Sequence, residues 1–146
     1  KKKKNVTSST LLNKLLDYEK INRYDDVDTF IKFSKNCDKL KNRFKSNLIR
    51  LKNAGNKIFG YGATSKSTTI LNYCDIGNDL IDYIVDTTPT KYWKFTPGKH
   101  IPVLPYHLFK ENFPDYFVLF AWNHAKEIKK KENQFNKIGK WITHLD

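Results

Sequence analysis

The sequence predicts an α/β fold in which N-terminal helices precede a mostly parallel sheet covered by helices on both faces. Two patterns predict this architecture. From residue 57 onward, short apolar runs that indicate buried strands alternate with segments of helical spacing, and such alternation is typical of parallel sheets. Before residue 53, apolar residues recur only at helical spacing. We therefore expect a basic lead-in over residues 1–8, a helical lead-in over residues 9–54 and a sheet domain over residues 55–146.

Two N-terminal helices are predicted by the spacing of apolar residues. Four leucines between residues 11 and 16 predict a short amphipathic helix over Thr10–Ile21. Apolar steps of three and four residues predict a long helix over Val27–Lys52, which Gly55 ends as a C-cap. One face of the long helix is expected to pack on the sheet domain or on a neighbouring domain.

The segment Lys57–Cys74 predicts a strand, a glycine turn and a helix. Gly60 and Gly62 allow backbone conformations that a Cβ would block, and Thr64 or Ser65 can cap the helix. The first N–H groups of that helix and the charge of Lys66 favour an anion such as phosphate. A turn that serves only packing is the alternative, and we weigh the two about equally.

Two known phosphate-binding motifs fail at the same position. Both the dinucleotide motif G-x-G-x-x-G and the P-loop motif G-x-x-x-x-G-K-[ST] need glycine where this chain has Ser65. Asp86 imitates the aspartate of an NTPase, but the chain lacks the length and the further strands of that class. The sequence therefore does not favour an NTPase.

The remaining elements alternate along the chain. They are a buried strand over Leu80–Asp86, a loop over residues 87–100, a strand over Ile101–Leu104, a helix from Pro105 to Glu111, a strand over Tyr116–Trp122, a helix over Asn123–Phe135 and a strand over Trp141–Leu145.

Three features converge at the carboxyl ends of the predicted strands, where ligands bind in open α/β sheets. They are the turn over Gly60–Lys66, the loop over Asp86–His100 and the pair Trp122-Asn123. Each has a structural alternative: Asp86 can begin a turn, Trp122 can belong to the core and Asn123 can cap a helix.

Composition fits one compact domain. The chain has 146 residues, 39% of them hydrophobic, no methionine, no visible signal peptide and no apolar run that could cross a membrane. We expect a cytoplasmic piece of a longer polypeptide. Cys37 and Cys74 are expected to be buried reduced thiols, and four histidines without a ligand motif predict no metal site.

The net charge of +12 raises the alternative of a nucleic-acid-binding domain. Much of the excess lies in two lysine tracts, at residues 1–4 and 129–131, and no nucleic-acid motif is present. Solvated surface charge is the interpretation that we favour over a nucleic-acid partner.

Several motifs, in this order, resemble one family. They are G-Y-G-A-T-S-K-S-T-T-I-L-N-Y-C-D-I-G from residue 60, I-V-D-T-T-P-T-K from residue 84, F-T-P-G-K-H-I-P-V from residue 95 and P-D-Y-F-V-L-F-A-W-N-H-A-K-E-I from residue 114. From about Ser9 to Leu145, the chain is similar to the C-terminal domain of S-adenosylmethionine-dependent sugar C-methyltransferases.

The resemblance implies a Rossmann-like three-layer domain that binds the nucleotide-sugar substrate, of dTDP or UDP type. It also implies that S-adenosylmethionine and most catalytic residues belong to a central methyltransferase domain that this chain lacks. The catalytic residues are therefore unknown here, and the fragment alone is expected to bind no cofactor and to be inactive. A stand-alone, non-catalytic nucleotide-binding module is the alternative.

The resemblance also implies a set of residues that bind the nucleotide sugar. These are Gly60, Tyr61, Gly62, Ala63, Ser65, Lys66, Asn72, Asp86, Lys91, Pro97, Gly98, Trp122 and Asn123. The chain departs from the family at Thr64-Ser65, where proline and alanine are common, and at Tyr92-Trp93, where glutamine and glycine are common. Tyr92 and Trp93 are expected to stack on a base or, in the interpretation that we prefer, to cover an apolar patch left by a missing domain.

Overall fold

The computed structural model describes residues 9–145. The predicted basic lead-in over residues 1–8 lies outside the described residues. The chain divides into two compact units, the first ending at Lys39 and the second beginning at Leu40.

The first unit contains helix α1 (Thr10–Ile21) and the start of helix α2 (Val27–Asn53), as predicted. The side chain of Ser9 caps α1 by accepting the N–H of Leu12 at 3.2 Å. Large apolar side chains of this unit, among them Leu15 and Phe30, are exposed. Cys37 is only partly buried, so the expectation of a buried thiol there is wrong, whereas Cys74 of the second unit is buried; neither forms a disulfide.

The second unit is built on a six-stranded sheet. Its strands are β1 (Ile58–Tyr61), β2 (Ile84–Asp86), β3 (Lys94–Phe95), β4 (Pro102–Pro105), β5 (Tyr116–Leu119) and β6 (Lys140–Ile142). Their spatial order is β3-β4-β2-β1-β5-β6, and every neighbouring pair is parallel except β3 with β4. The mostly parallel sheet is therefore confirmed.

The strand order places a topological switch point between β1 and β5. The chain first builds outward from β1 through β2 to β4, and then returns to the other side of β1 with β5 and β6. Tyr61 at the end of β1 is in register with Leu119 at the end of β5. Connections from these two strands leave in opposite directions, which opens a crevice at their carboxyl ends.

Both faces of the sheet are covered, which gives the three layers. On one face, Phe44, Leu48 and Leu51 of α2 are buried with Leu71 of helix α3 (Ser65–Tyr73). The other face carries an aromatic cluster that includes Phe59, Tyr61, Phe109, Phe117 and Phe135. Helix α4 (Ala125–Lys131) and short 3-10 turns at residues 106–111 and 135–137 cover this face.

Strand β2 is shorter than predicted. Residues 78–80 form a turn in which the carbonyl of Gly77 accepts the N–H groups of Leu80 and Ile81, and the strand begins only at Ile84. The carboxylate of Asp82 then accepts the N–H of Ile58 at 3.2 Å. The predicted loop over residues 87–100 also contains a 3-10 turn at Pro89–Lys91 and the edge strand β3.

The segment after β5 differs most from the prediction. The strand ends at Leu119, and the single helix predicted over Asn123–Phe135 is wrong. The structure has a 3-10 turn at Trp122–His124, α4 over seven residues and another 3-10 turn at Phe135–Lys137. The helix ends because Glu132 leaves helical torsions, with φ −90° and ψ 45°, and its side chain turns into the protein. The last strand begins and ends earlier than predicted, and the predicted helix from Pro105 is a 3-10 turn.

Candidate functional site

The glycine turn after β1 is shaped by local chemistry. Gly62 has φ +89°, a conformation that favours glycine. Thr64 is the N-cap of α3: its hydroxyl accepts the N–H of Ser67 at 3.1 Å, while the hydroxyl of Ser67 accepts the N–H of Thr64 at 2.9 Å. This reciprocal capping box fixes the direction in which the helix starts.

The start of α3 presents donors at the carboxyl edge of the sheet. In the described part of the chain, the N–H groups of Ser65 and Lys66 have no acceptor, as is usual for the first turn of a helix. The ammonium of Lys66 lies 3.1 Å from the side-chain oxygen of Asn123, across the switch point. These donors and the helix dipole suit an anionic group.

Asp86 holds the turn in place from the end of β2. Its Oδ2 accepts the N–H of Ala63 at 2.7 Å and the ammonium of Lys91 at 3.1 Å, and its Oδ1 accepts the N–H of Thr88 at 2.8 Å. Lys91 also donates to the carbonyl of Ala63 at 2.8 Å. Burial alone would raise the pKa of Asp86, but the hydrogen bonds from Thr88, Lys91 and Ala63 outweigh it and lower the pKa. Asp86 is thus a buried clamp between two loops.

A cavity of about 460 Å³ opens at the switch point beside this clamp. It is bounded by the glycine turn, by the loop after β2 and by one side of α4. Its lining residues are Tyr61, Gly62, Thr64, Val85, Asp86, Thr87, Thr88, Lys91, Tyr106, Ala121, His124, Glu127, Ile128 and Lys131. A site of this size accommodates a small organic ligand.

Two tyrosines that line the cavity, Tyr61 and Tyr106, are hydrogen-bonded to a buried carboxylate behind them, and we call these two tyrosines the floor of the cavity. The hydroxyl of Tyr61 donates to Oε1 of Glu132 at 2.8 Å, and the hydroxyl of Tyr106 donates to the same oxygen. Glu132 is only 5% exposed. Burial, and then the neighbouring carboxylate, raise the pKa of both tyrosines. Both hydroxyls therefore keep their protons throughout the neutral range.

Three of the predicted site residues, Asn72, Pro97 and Gly98, lie together near the amino ends of the strands. The side-chain amide of Asn72, in the last turn of α3, donates to the carbonyls of Thr68 and Pro97 at 2.8 and 2.9 Å. A Cβ on Gly98 would lie 2.1 Å from the side-chain oxygen of Asn72. Since Pro97 and Gly98 precede β4, this contact lies near the amino ends of the strands. A groove of about 140 Å³, lined by Ala63, Lys91 and Pro97 among others, connects the two regions.

Trp122 and Asn123 follow β5 at the carboxyl edge. Trp122 is 40% exposed, so the alternative that it belongs to the core is wrong. Asn123 caps neither the 3-10 turn nor α4, for which Ala121 and His124 occupy the cap positions without a side-chain hydrogen bond. The side-chain oxygen of Asn123 accepts from Lys66 instead.

The aromatic residues of the second loop have different environments. The hydroxyl of Tyr92 donates to the carbonyl of Thr87 at 3.0 Å. Trp93 is 68% exposed and has φ +62°, and Phe95, two residues later on β3, is also exposed. Neither Tyr92 nor Trp93 lines the cavity at the switch point.

Glu132 and Tyr106 are the residues that sequence reasoning missed. Tyr106 directly follows β4, and the rule that ligands bind at the carboxyl ends of parallel strands could have indicated it. Glu132 gave no such signal, because it lies in the sequence K-K-K-E, which is typical of a solvated helix face.

No group of three or more histidine, cysteine, aspartate or glutamate side chains within residues 9–145 is arranged to hold a metal ion. None of the helices described combines the length and the apolar character needed to cross a bilayer.

Comparison with known proteins gives two findings. A family model described as the C-methyltransferase C-terminal domain matches residues 1–145. Over 85 residues, the chain is 38% identical to the C-methyltransferase NovU of Streptomyces niveus. That alignment covers 58% of this chain and 20% of the relative, so it spans about a fifth of that protein's length.

Proposed function

Since the chain belongs to the family of C-methyltransferase C-terminal domains, we propose that it is the substrate-binding domain of an S-adenosylmethionine-dependent sugar C-methyltransferase. The proposed substrate is a nucleotide-linked deoxy or keto sugar that carries dTDP or UDP. The relative found by comparison is itself named as a C-methyltransferase, which supports a group transfer to carbon in the intact protein.

One observation carries the proposal: a cavity at the switch point adjoins an anion-favouring helix start. The cavity reaches Gly62 and Thr64, and the open N–H groups of Ser65 and Lys66 follow directly along the chain. A nucleotide sugar needs both environments, because its diphosphate is an acceptor-rich anion while its sugar is neutral and polar. Asp86 and Lys91 keep the turn between them rigid.

The chemistry of the transfer is assigned to a part of the intact protein outside this chain. Methyl transfer to carbon requires removal of a proton beside a carbonyl group, followed by attack of the carbanion on the methyl donor. S-adenosylmethionine supplies that methyl group when it is bound, and we propose that another domain of the protein binds it. In this scheme the present chain binds and orients the substrate, and it turns nothing over alone.

Amide chemical-shift mapping of the isotopically labelled chain tests the proposed site. Addition of dTDP or UDP is expected to shift the amide signals of Gly62, Ser65 and Lys66, while those of α1 stay in place. Shifts confined to residues 72 and 97–98 would place the phosphates at the opposite edge and overturn this location.

A turnover assay tests the second part of the proposal. The chain is mixed with a nucleotide sugar and S-adenosylmethionine, and methylated sugar is sought by mass spectrometry. We expect no product above a control without protein. Catalytic formation of product would contradict the assignment of the chemistry to another domain.

A further inference from the structure

Glu132 occupies an unusual position for an acidic residue in a lysine-rich segment. It follows the last residue of α4, it is 5% exposed, and one of its oxygens accepts two hydroxyl protons. In the described part of the chain no lysine, arginine or histidine forms an ion pair with it. Burial of a carboxylate costs free energy unless it is compensated by hydrogen bonds, and here the compensation comes from Tyr61 and Tyr106.

These two hydrogen bonds determine what the cavity floor offers to a ligand. A phenol has one proton, and an ionised carboxylate can only accept. With both protons directed at Glu132, the oxygens of Tyr61 and Tyr106 retain only lone pairs. Both tyrosines line the cavity of about 460 Å³. The floor therefore accepts hydrogen bonds and does not donate them.

The charges around the cavity also favour a neutral group over a phosphate. Its lining includes the acidic residues Asp86 and Glu127 and the lysines Lys91 and Lys131, so the two signs balance. Lys91 is already paired with Asp86 at 3.1 Å, and the ammonium of Lys131 lies over the ring of Tyr106, 4.7 Å from its centroid. A phosphate has acceptors and negative charge, and this floor offers it no donor. A hydroxyl-bearing ring is neutral and supplies the missing protons.

Resting on the proposed function, we propose that the cavity floor binds a hydroxyl-bearing ring of the nucleotide sugar and that Glu132 is the positioning residue that fixes both tyrosine oxygens as acceptors. The diphosphate then lies toward the start of α3, where the donors are. The ring is either the hexose or the ribose, because both present hydroxyl groups of the same chemistry.

Removal of the carboxylate tests this inference. In Glu132→Ala neither phenol keeps the acceptor of its proton, so both phenols are free to turn their protons toward the cavity. Calorimetric titrations with UDP-glucose, UDP and inorganic pyrophosphate compare the variant with the parent chain. For UDP-glucose we expect a loss of about tenfold in affinity, the effect of one hydrogen bond between neutral groups, and for pyrophosphate we expect no change.

The three probes separate the possible outcomes. A loss for UDP-glucose alone identifies the hexose, and an equal loss for UDP identifies the ribose; both support the inference. An equal loss for pyrophosphate, or no loss for any probe that binds the parent chain, would overturn it. If the parent chain binds none of the three probes, the proposed function fails as well. That result differs from one in which the parent chain binds the probes and the variant shows no selective loss.

Tyr106→Phe guards against a folding defect in the first variant, because it keeps the ring and removes one acceptor. It is expected to show the same selective loss. Tyr73→Phe, on exposed Tyr73 at the end of α3, and Glu19→Ala on α1 are the matched controls, and both should bind every probe as the parent chain does.

The direction of the protons can also be measured without a ligand. The intensity ratio of the tyrosine Raman doublet distinguishes a phenol that donates from one that accepts. The difference spectrum between the parent chain and Tyr106→Phe is expected to show a donating phenol. The spectrum of an accepting phenol would mean that the floor presents a proton to the cavity, and it would overturn the inference directly.

Discussion

The carboxylate of Asp86 accepts the backbone N–H of Ala63 at 2.7 Å, so the end of β2 is bonded to the turn that follows β1. Asp86 is 7% exposed and also accepts from Thr88 and Lys91. The acid at the end of β2 therefore shapes the wall of the cavity, and the turn is organised before any ligand arrives.

Asp86→Asn is expected to destabilise the chain. An amide can keep one or two of the hydrogen bonds, but the charge that compensates Lys91 is lost. Since hydrogen bonds to charged groups contribute about 1.5–3 kcal/mol each, we expect a decrease of about 2 kcal/mol in the free energy of unfolding, measured in urea. Asp17→Asn on exposed Asp17 of α1 is the control, and an equal effect of the two changes would contradict the clamp.

Stability is expected to fall on acidification. The folded-state pKa of Asp86 is lower than that of the unfolded chain, so its contribution is complete above the unfolded value of about 4 and is lost as the pH falls through the lower folded value. Asp75, held by Lys45 and Lys99, has its pKa lowered to about 2 and acts in the same direction. Urea unfolding between about pH 6 and about pH 2 should show a shallower loss of stability for Asp86→Asn than for the parent chain. Parallel curves would refute the role of Asp86.

Lys66→Ala is expected to weaken binding of the diphosphate. The ammonium lies at the start of α3, 3.1 Å from the side-chain oxygen of Asn123, and can reach an anion on the open N–H groups. Loss of one charge-assisted contact should cost about 1–2 kcal/mol of binding free energy, measured by calorimetry with UDP or dTDP. Lys137→Ala removes an exposed lysine from the turn at Phe135–Lys137 and should leave the dissociation constant unchanged. Equal behaviour of the two variants would place the phosphates elsewhere.

Thr64→Ala and Asn123→Ala are expected to differ in stability. Thr64 caps α3 through a capping box, and loss of such a cap costs about 1 kcal/mol. Asn123 caps no helix and contacts Lys66 on the surface, so its replacement should change the free energy of unfolding by less than about 0.5 kcal/mol. Thermal and urea unfolding measure both changes in stability. A loss at Asn123→Ala as large as that at Thr64→Ala would restore the predicted role of Asn123 as a cap.

Gly98→Ala is expected to be more destabilising than Gly55→Ala. Both glycines have φ +81°, but a Cβ at Gly55 meets nothing within 4 Å whereas one at Gly98 lies 2.1 Å from the side-chain oxygen of Asn72. The shared strain costs about 1 kcal/mol in both variants, and the clash adds to it at Gly98 alone. If Asn72→Ala does not relieve part of the Gly98→Ala defect in the double variant, the contact is not the cause.

Local patterns predicted the elements whose boundaries depend on local chemistry. The bounds of α1 match the prediction, and α2 differs by one residue at its end, because leucine spacing and terminal residues define both helices. The strand, turn and helix around Gly62 were predicted for the same reason. Of the two candidate caps, Thr64 is the one that forms the hydrogen bond.

Contacts between distant residues account for what the sequence did not reveal. In the sequence, Glu132 looks like part of a solvated helix. In the structure it is buried, accepts a hydrogen bond from Tyr61, 71 residues earlier, and follows the last residue of α4. In the same way, the side chain of Asp82 accepts the N–H of Ile58, 24 residues earlier, and β2 begins after it at Ile84. No periodicity in either segment reports such a partner.

The position of the candidate site at the carboxyl ends of the strands could be predicted from the sequence, but the hydrogen bonds of its residues could not. Parallel strands place Gly62, Asp86 and Asn123 at one edge, as expected. Only the folded loops show that Asp86 accepts hydrogen bonds from Ala63, Thr88 and Lys91. The same holds for Asn72, whose amide holds the turn at Pro97.

The most direct test of the central claim is a calorimetric titration of the chain with dTDP, UDP, GDP, ADP and S-adenosylmethionine, each in turn. We expect that a pyrimidine diphosphate binds, that Lys66→Ala weakens this binding, and that S-adenosylmethionine gives no heat of binding. Binding of S-adenosylmethionine with none of the diphosphates would contradict the assignment of this chain as the substrate domain.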